Sequence, residues 1–273
     1  MPLQLSLRSV PDLPVDVRSL RPERLQTMTL GDIQRLPLSV GNQDVHCRDL
    51  FDVRGTAEDE QIILSGDCRR LTFIGAEMTS GTIIVESSAG AHLGARLRGG
   101  TIRVQGNAGH WAGAEMRRGT VEIQGNAGDS LGAAYPGAAK GMRGGRIFVR
   151  GQAGNEIGAG MRRGLIAIAK QVGVGAGAGM IAGTICLLGG AGTGTGLGMK
   201  RGTILLSGSP ESTGILPTFI PTAITRPVYL RLLVKELRLA GFTVPTEWDE
   251  AAFQCFRGDL LELGLGELFF PVA

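Results

Sequence analysis

The chain has 273 residues, 43% of them hydrophobic, with 44 glycines, aromatics at only 5% and a formal net charge of +3. That is ample for a core; glycine without a G-X-Y period excludes collagen, and so small a charge gives no argument for nucleic acid. Four scattered cysteines (Cys47, Cys68, Cys186, Cys255) form no CxxC pair, which disfavours zinc or an iron–sulfur cluster and fits a reducing cytosol, and neither a secretory h-region nor a membrane-length apolar run is present.

Residues 1–60 open with MPLQLSLRS, where Leu3, Leu5 and Leu7 alternate with polar neighbours as in a strand. Pro11, Pro14 and Pro22 interrupt the chain. PERLQTMTLGDIQRLPL then predicts one or two short helices, with Pro22 at N1 and an apolar face of Leu25, Met28, Ile33 and Leu36. GNQDVHCRDLFDVRG brings turn formers and an apolar patch at Leu50, Phe51 and Val53. The segment reads as a small α+β cap. His46 and Cys47 lie near Asp44 and Asp49, but no second cluster has ligand spacing, so no metal site is assigned.

Residues 61–208 repeat. Copies begin at Gln61, Thr82, Thr101, Thr120, Arg146, Leu165 and Thr184, mostly 19 residues apart, and TILLSG follows at Thr203. One such unit cannot bury its apolar side alone, so the period predicts a solenoid of about seven coils. Counting each copy from zero, offsets one and three are aliphatic throughout, from Ile62/Leu64 to Ile204/Leu206. Period two with β-branching predicts inward-facing strand residues, stacked as ladders in parallel sheets. Offsets eight and twelve are glycine in six copies, for example Gly109 and Gly113, which fits sharp corners. A row of Met78, Met116, Met142, Met161, Met180 and Met199, with Leu97 in one copy, fits core packing better than a soft-metal path.

Two outward features stand out. Basic residues follow the methionines: Arg98, Arg117/Arg118, Arg143, Arg162/Arg163 and Lys200/Arg201. They form either a solvated turn whose methylenes cover the coil edge or a ridge for a polyanion or acidic partner. Offset two runs from Arg103 and Glu122 to Phe148, Ala167, Cys186 and Leu205, and offset four from Gln105 to Leu188. That later face is too apolar for water, so it is covered either by the C-terminal segment or by another subunit. An insertion, Ala133 to Gly141, offers Tyr135, Pro136 and Lys140 to a ligand or partner, or is merely tolerated. The glycine stretches lack Walker spacing and a following helix, and His92, His110 and Trp111 have no nearby nucleophile or carboxylate in the sequence, so no catalytic residue is assigned. A self-standing enzyme using His110 or the insertion stays as a reading from another class.

Residues 209–273 form an extension: a proline-punctuated connection, an amphipathic helix from Val228 to Ala240 ended by Gly241, and strand-like runs in FRGDLLELGLGELFF. They are expected to cap or lie along the last coils.

Gly106-xx-Gly109-xxx-Gly113, Gly125-xx-Gly128-xxx-Gly132, Gly151-xx-Gly154-xxx-Gly158 and Gly189-xx-Gly192-xxx-Gly196 resemble the repeats of a family of right-handed β-helices. That domain ends the large subunit of glutamate synthase and forms the C subunit of formylmethanofuran dehydrogenase; GNQDVHCRDLFDVRG, FRGDLLELGLGELFF and the length are similar to the second. Ser87 and Lys170 replace glycine at offset five in two copies. The resemblance implies a mainly β fold, a right-handed parallel β-helix of about seven coils with small α/β caps at both ends. A C subunit of this kind also occurs in the bacterial formyltransferase/hydrolase complex, and the high Ala, Gly and Arg content points to a GC-rich bacterial source and to that complex. The resemblance then implies a cytoplasmic scaffold without catalytic residues or bound cofactor of its own. Its partners would be an amidohydrolase-like A subunit with a dinuclear metal site, expected to hold zinc, a B subunit, and a formyltransferase D subunit. The complex would move a formyl group from tetrahydromethanopterin to a methanofuran-type carrier and release formate. The alternative is the same subunit of a molybdenum or tungsten formylmethanofuran dehydrogenase. In either setting Arg98, Arg117, Arg143, Arg162 and Lys200 are candidates for an anionic carrier tail, and Phe148, Cys186, Leu188 and Leu205 for a subunit interface.

Overall fold

The structure, a computed structural model, describes residues 1–272. It is mainly β, dominated by one thirteen-stranded sheet. The repeat strands stack in sequence order: Gln61–Ser65, Thr82–Val85, Thr101–Val104, Thr120–Ile123, Arg143–Val149, Arg163–Ile168, Thr184–Leu187 and Arg201–Leu206. Each is parallel to the next and in register, so Ile62, Ile83, Ile102, Val121, Ile147, Ile166, Ile185 and Ile204 form one column. All eight are at most 1% exposed. Each such side chain contributes roughly 1.5–3 kcal/mol by leaving water, and its branched Cβ suits the pleated wall.

The repeats contact one another beyond this sheet. Single parallel bridges join Ala89, Ala108, Ala127, Ala153 and Val172 in turn. At the next corner Gly132 N–H donates to Ala112 O at 2.8 Å and Gly158 N–H to Leu131 O at 2.8 Å. Gly132 sits at φ +67°, and a Cβ there would come within 2.7 Å of Ile166 Cδ1, so this corner admits no side chain. Polar side chains tie the remaining turn: Asn107 Oδ1 accepts from Asn126 N–H at 2.7 Å, and Asn126 Oδ1 from Gln152 N–H at 2.9 Å. The methionine row is fully buried and belongs to the core.

Both ends are capped by added strands. Leu3–Leu7 pairs parallel with Gln61–Ser65, placing Leu3 beside Ile62 and Leu5 beside Leu64, and Phe51–Arg54 pairs antiparallel on its other edge. The short helices Pro22–Leu25 and Leu30–Gln34 and a four-stranded sheet complete this end. At the other end Leu265–Val272 joins Arg201–Leu206 in parallel, followed by Ala252–Gly258 and Ile220–Thr225, both antiparallel. Asp259 is only 1% exposed and accepts from Gly198 N–H and Leu261 N–H, each at 3.0 Å, tying this extension to the last repeat.

The helix Val228–Leu239 lies over the apolar outer face. Leu230, Leu233, Val234 and Leu237 pack with Phe148, Ala167, Cys186 and Leu205, and Leu188 lies half-buried at the edge of that cluster. Arg146 pairs with Glu236 at 2.6 Å, and the Arg150 guanidinium stacks 4.0 Å above Phe242 and donates to Ala240 O. The assignment of Phe148, Cys186, Leu188 and Leu205 to a subunit interface is therefore corrected. The chain's own helix covers Phe148, Cys186 and Leu205 and leaves Leu188 half-buried at the edge, because that helix carries a matching apolar stripe within reach.

Candidate functional site

Three surfaces carry chemistry. The first is the basic row. Arg98, Arg117, Arg143, Arg162 and Lys200 occupy equivalent places, each backbone N–H donating to the Met or Leu that opens the turn one repeat earlier: Arg117 to Leu97 O at 2.8 Å, Arg143 to Met116 O at 2.7 Å, Arg162 to Met142 O at 2.8 Å. Ile181 takes the equivalent place between Arg162 and Lys200. Arg98, Arg117, Arg118, Arg143, Arg162 and Arg163 are all exposed, and among the described residues none pairs with a carboxylate, whereas Lys200 lies 3.7 Å from Glu262. Parallel strands stand about 4.8 Å apart, so like charges are aligned there without compensation from this chain.

The second is the outside of the extension. Val228, Leu232 and Leu239 of the covering helix are 73%, 67% and 80% exposed, and Leu261 at the turn before the last strand is 81% exposed. The helix thus has a second apolar stripe opposite its buried one, interrupted by Lys235.

The third was not assembled from the sequence. Tyr135, from the insertion, folds back onto the early repeats: its ring stacks on Trp111 at 5.0 Å, and its hydroxyl lies 2.8 Å from His92 Nδ1. His92 stacks in turn on Phe73, with ring centres 4.5 Å apart and planes 7° from parallel. Arg18 from the N-terminal segment sits 4.4 Å over Phe73, and Arg96 5.6 Å over Tyr135. Arg18 is held by Asp16 at 2.6 Å and Arg96 by Glu115 at 2.9 Å. Burial, with Arg18 nearby, lowers the His92 pKa, so the ring is held neutral; burial pushes the Tyr135 hydroxyl up to about 12. A cavity of about 420 Å³ opens between Arg18, Arg21, Phe73, Glu77, Arg96 and Tyr135.

A signal for this cluster was present in the repeat alignment. Phe73, His92, Trp111, Ser130 and Glu156 share one turn position, all at positive φ between 57° and 63°, and the later repeats place Gly175 and Gly194 there. Glu77, Arg96 and Glu115 share a second such position, filled later by Gly160, Gly179 and Gly198. Side chains at turn positions that the last repeats give to glycine marked these turns; Arg18, Arg21 and Tyr135 join the cluster only through tertiary folding.

The other sequence candidates are occupied locally. Asp129 N–H donates to His110 Nδ1 at 3.0 Å, and Asp129 Oδ2 lies 3.3 Å from the same nitrogen. His46 N–H donates to Asp49 Oδ2 at 2.9 Å as a helix cap, and burial pushes the neighbouring Cys47 thiol up to about 12. Among the described residues no three His, Cys, Asp or Glu side chains converge as a metal site, and no helix is long and apolar enough to cross a membrane.

No family model matches the chain. The C subunit of the tungsten-containing formylmethanofuran dehydrogenase 2 of Methanococcus maripaludis is 33% identical over 92 residues, 33% of this chain and 34% of that protein. The C subunit of the molybdenum-containing formylmethanofuran dehydrogenase 1 of Methanothermobacter marburgensis is 38% identical over 82 residues, 30% of this chain and 20% of that protein. The matched stretch thus spans about a third or less of these relatives' length. Among solved structures, a chain of the formyltransferase/hydrolase complex (FhcABCD) from Methylorubrum extorquens in complex with methylofuran superposes with a TM-score of 0.89 at 33% identity, covering 99% of this chain and 100% of that one. With full-length likeness to a chain of that complex, and named relatives that are all C subunits, the chain belongs to the C-subunit family of formylmethanofuran dehydrogenases and formyltransferase/hydrolase complexes.

Proposed function

We propose that the chain is the non-catalytic scaffold subunit of a cytoplasmic formyltransferase/hydrolase complex. In this reading residues 61–208 form a right-handed parallel β-helix, residues 1–60 cap it, and residues 209–273 extend it toward partners. The full-length likeness to a chain of the complex with methylofuran carries the reading. The complex moves a formyl group from tetrahydromethanopterin to a methanofuran-type carrier and releases formate. Zinc sits in the amidohydrolase-like A subunit, the transfer step falls to the D subunit, and the assembly is completed by a B subunit. Docking falls to the exposed stripe of Val228, Leu232 and Leu239 and the turn at Leu261, which a partner would remove from water. The unpaired arginines of the basic row are suited to an acidic carrier tail.

The experiment is a pull-down of the tagged full-length chain followed by metal analysis. Co-elution of an amidohydrolase-like protein with zinc, and of a formyltransferase, is the expected outcome. A chain recovered alone sinks the scaffold reading. A second reading rests on the named relatives, which are dehydrogenase subunits: a cysteine-rich partner loaded with molybdenum or tungsten would place the chain in an oxidoreductase complex.

A further inference from the structure

We infer that the cavity between the N-terminal segment and the first repeats is a binding site for a small aromatic carboxylate. Its volume of about 420 Å³ suits one ring with its substituents. Four arginines, Arg18, Arg21, Arg24 and Arg96, and one carboxylate, Glu77, line it. Arg18 and Arg96 are each fixed twice, by a ring against the guanidinium face and by a carboxylate, Asp16 or Glu115, at one edge. Arg96 uses Nε for Glu115, which leaves both terminal nitrogens as donors. A guanidinium held in this way presents paired N–H groups to a planar oxyanion. Arg21 Nε is buried without a hydrogen bond, 3.8 Å from Glu23 Oε1. Phe73 and Tyr135 supply the aromatic walls, their faces shared with His92, Trp111 and the two arginines, and the Tyr135 hydroxyl is already engaged by His92.

Phe73, Glu77, His92 and Arg96, which line or back the cavity, are held at φ of +56° to +63°. The site is made of this chain alone, whatever assembly the chain joins.

The test is calorimetric titration of the full-length chain with phthalate, alongside cyclohexane-1,2-dicarboxylate and inorganic phosphate. Trp111, stacked on Tyr135, supplies a second readout through its emission. Phthalate is expected to bind saturably with a Kd of about 1 mM or tighter, and the two non-aromatic anions at least about tenfold more weakly. Arg96→Gln should weaken phthalate at least about tenfold while Arg231→Gln, exposed and outside the cavity lining, leaves it unchanged. If Arg96→Gln fails to fold, Arg24→Gln, an exposed lining residue, tests the same point with a smaller loss. Absence of saturation by about 20 mM phthalate overturns the site, as does unaltered binding by a folded Arg96→Gln; phosphate binding as tightly as phthalate overturns the aromatic specificity.

Discussion

Glu156 and His92 occupy the same turn position in different repeats, at φ +57° and +63°, yet their surroundings differ. Glu156 is exposed and no hydrogen bond or ion pair engages its side chain among the described residues, while the two following repeats carry Gly175 and Gly194 there. Glu156→Gly should therefore raise the urea midpoint, since relief of left-handed strain, about 1–2 kcal/mol, exceeds the added unfolded-state entropy of about 0.4–1 kcal/mol. A lowered midpoint would mean the side chain has a structural task. His92→Gly relieves similar strain but removes the Phe73 stack and the Tyr135 contact, so its midpoint should fall. His92 also carries a pH signature. Its folded pKa lies below the ordinary value near 6.5, so between those two values the unfolded chain binds the extra proton. Stability is full above about pH 6.5 and declines as pH falls from there toward the folded value. His92→Gln should flatten that part of the stability–pH curve; an unchanged slope refutes the neutral, half-buried imidazole.

The covering helix is the element whose removal has the clearest consequence. Leu237 is fully buried against the outer face that includes Phe148 and Cys186. Leu237→Ala should cost about 2–5 kcal/mol, read as a lowered midpoint in denaturant, because a packed cluster relaxes only partly around a lost side chain. A change under about 1 kcal/mol would show that the helix is loosely docked. This helix was legible in advance: Leu230, Leu233, Val234 and Leu237 have helical spacing, and Gly241, at φ +84°, follows its end. Its destination was not, since an apolar helix face and an apolar sheet face match equally well within one chain or between two. The repeat strands were legible for a different reason. A 19-residue period multiplies a weak strand signal by its recurrence, and ladders such as Ile102, Val121 and Ile147 have one sensible arrangement. The aromatic–arginine cluster escaped because Arg18 and Tyr135 reach it from a cap and an insertion, both outside the period.

Across the whole molecule, charge is distributed unevenly along a nearly neutral chain. Arg103 is answered by Glu122 at 3.0 Å, Arg146 by Glu236 at 2.6 Å and Arg96 by Glu115 at 2.9 Å. The basic row from Arg98 to Arg163 has no such answer among the described residues. Folding alone does not require it, because the turn backbone is already satisfied by the repeat before it, as at Arg162 N–H to Met142 O. The row therefore repels itself at the spacing of the repeats, and an acidic ligand lying along it would remove that repulsion while making its own contacts. Replacing Arg117, Arg143 and Arg162 together by Gln should then do two opposite things. Stability of the isolated chain should stay within about 0.5 kcal/mol or rise slightly, since these are exposed surface changes. Retention of a methanofuran-type carrier by the assembled complex should drop, and the wild-type affinity should fall between about 50 and 500 mM salt as screening shortens the reach of the row. The triple variant should lose most of that salt dependence. Carrier retention equal to wild type, with the same salt dependence, would assign these arginines to solvent and leave their methylenes, covering the edge of the coils, as their contribution.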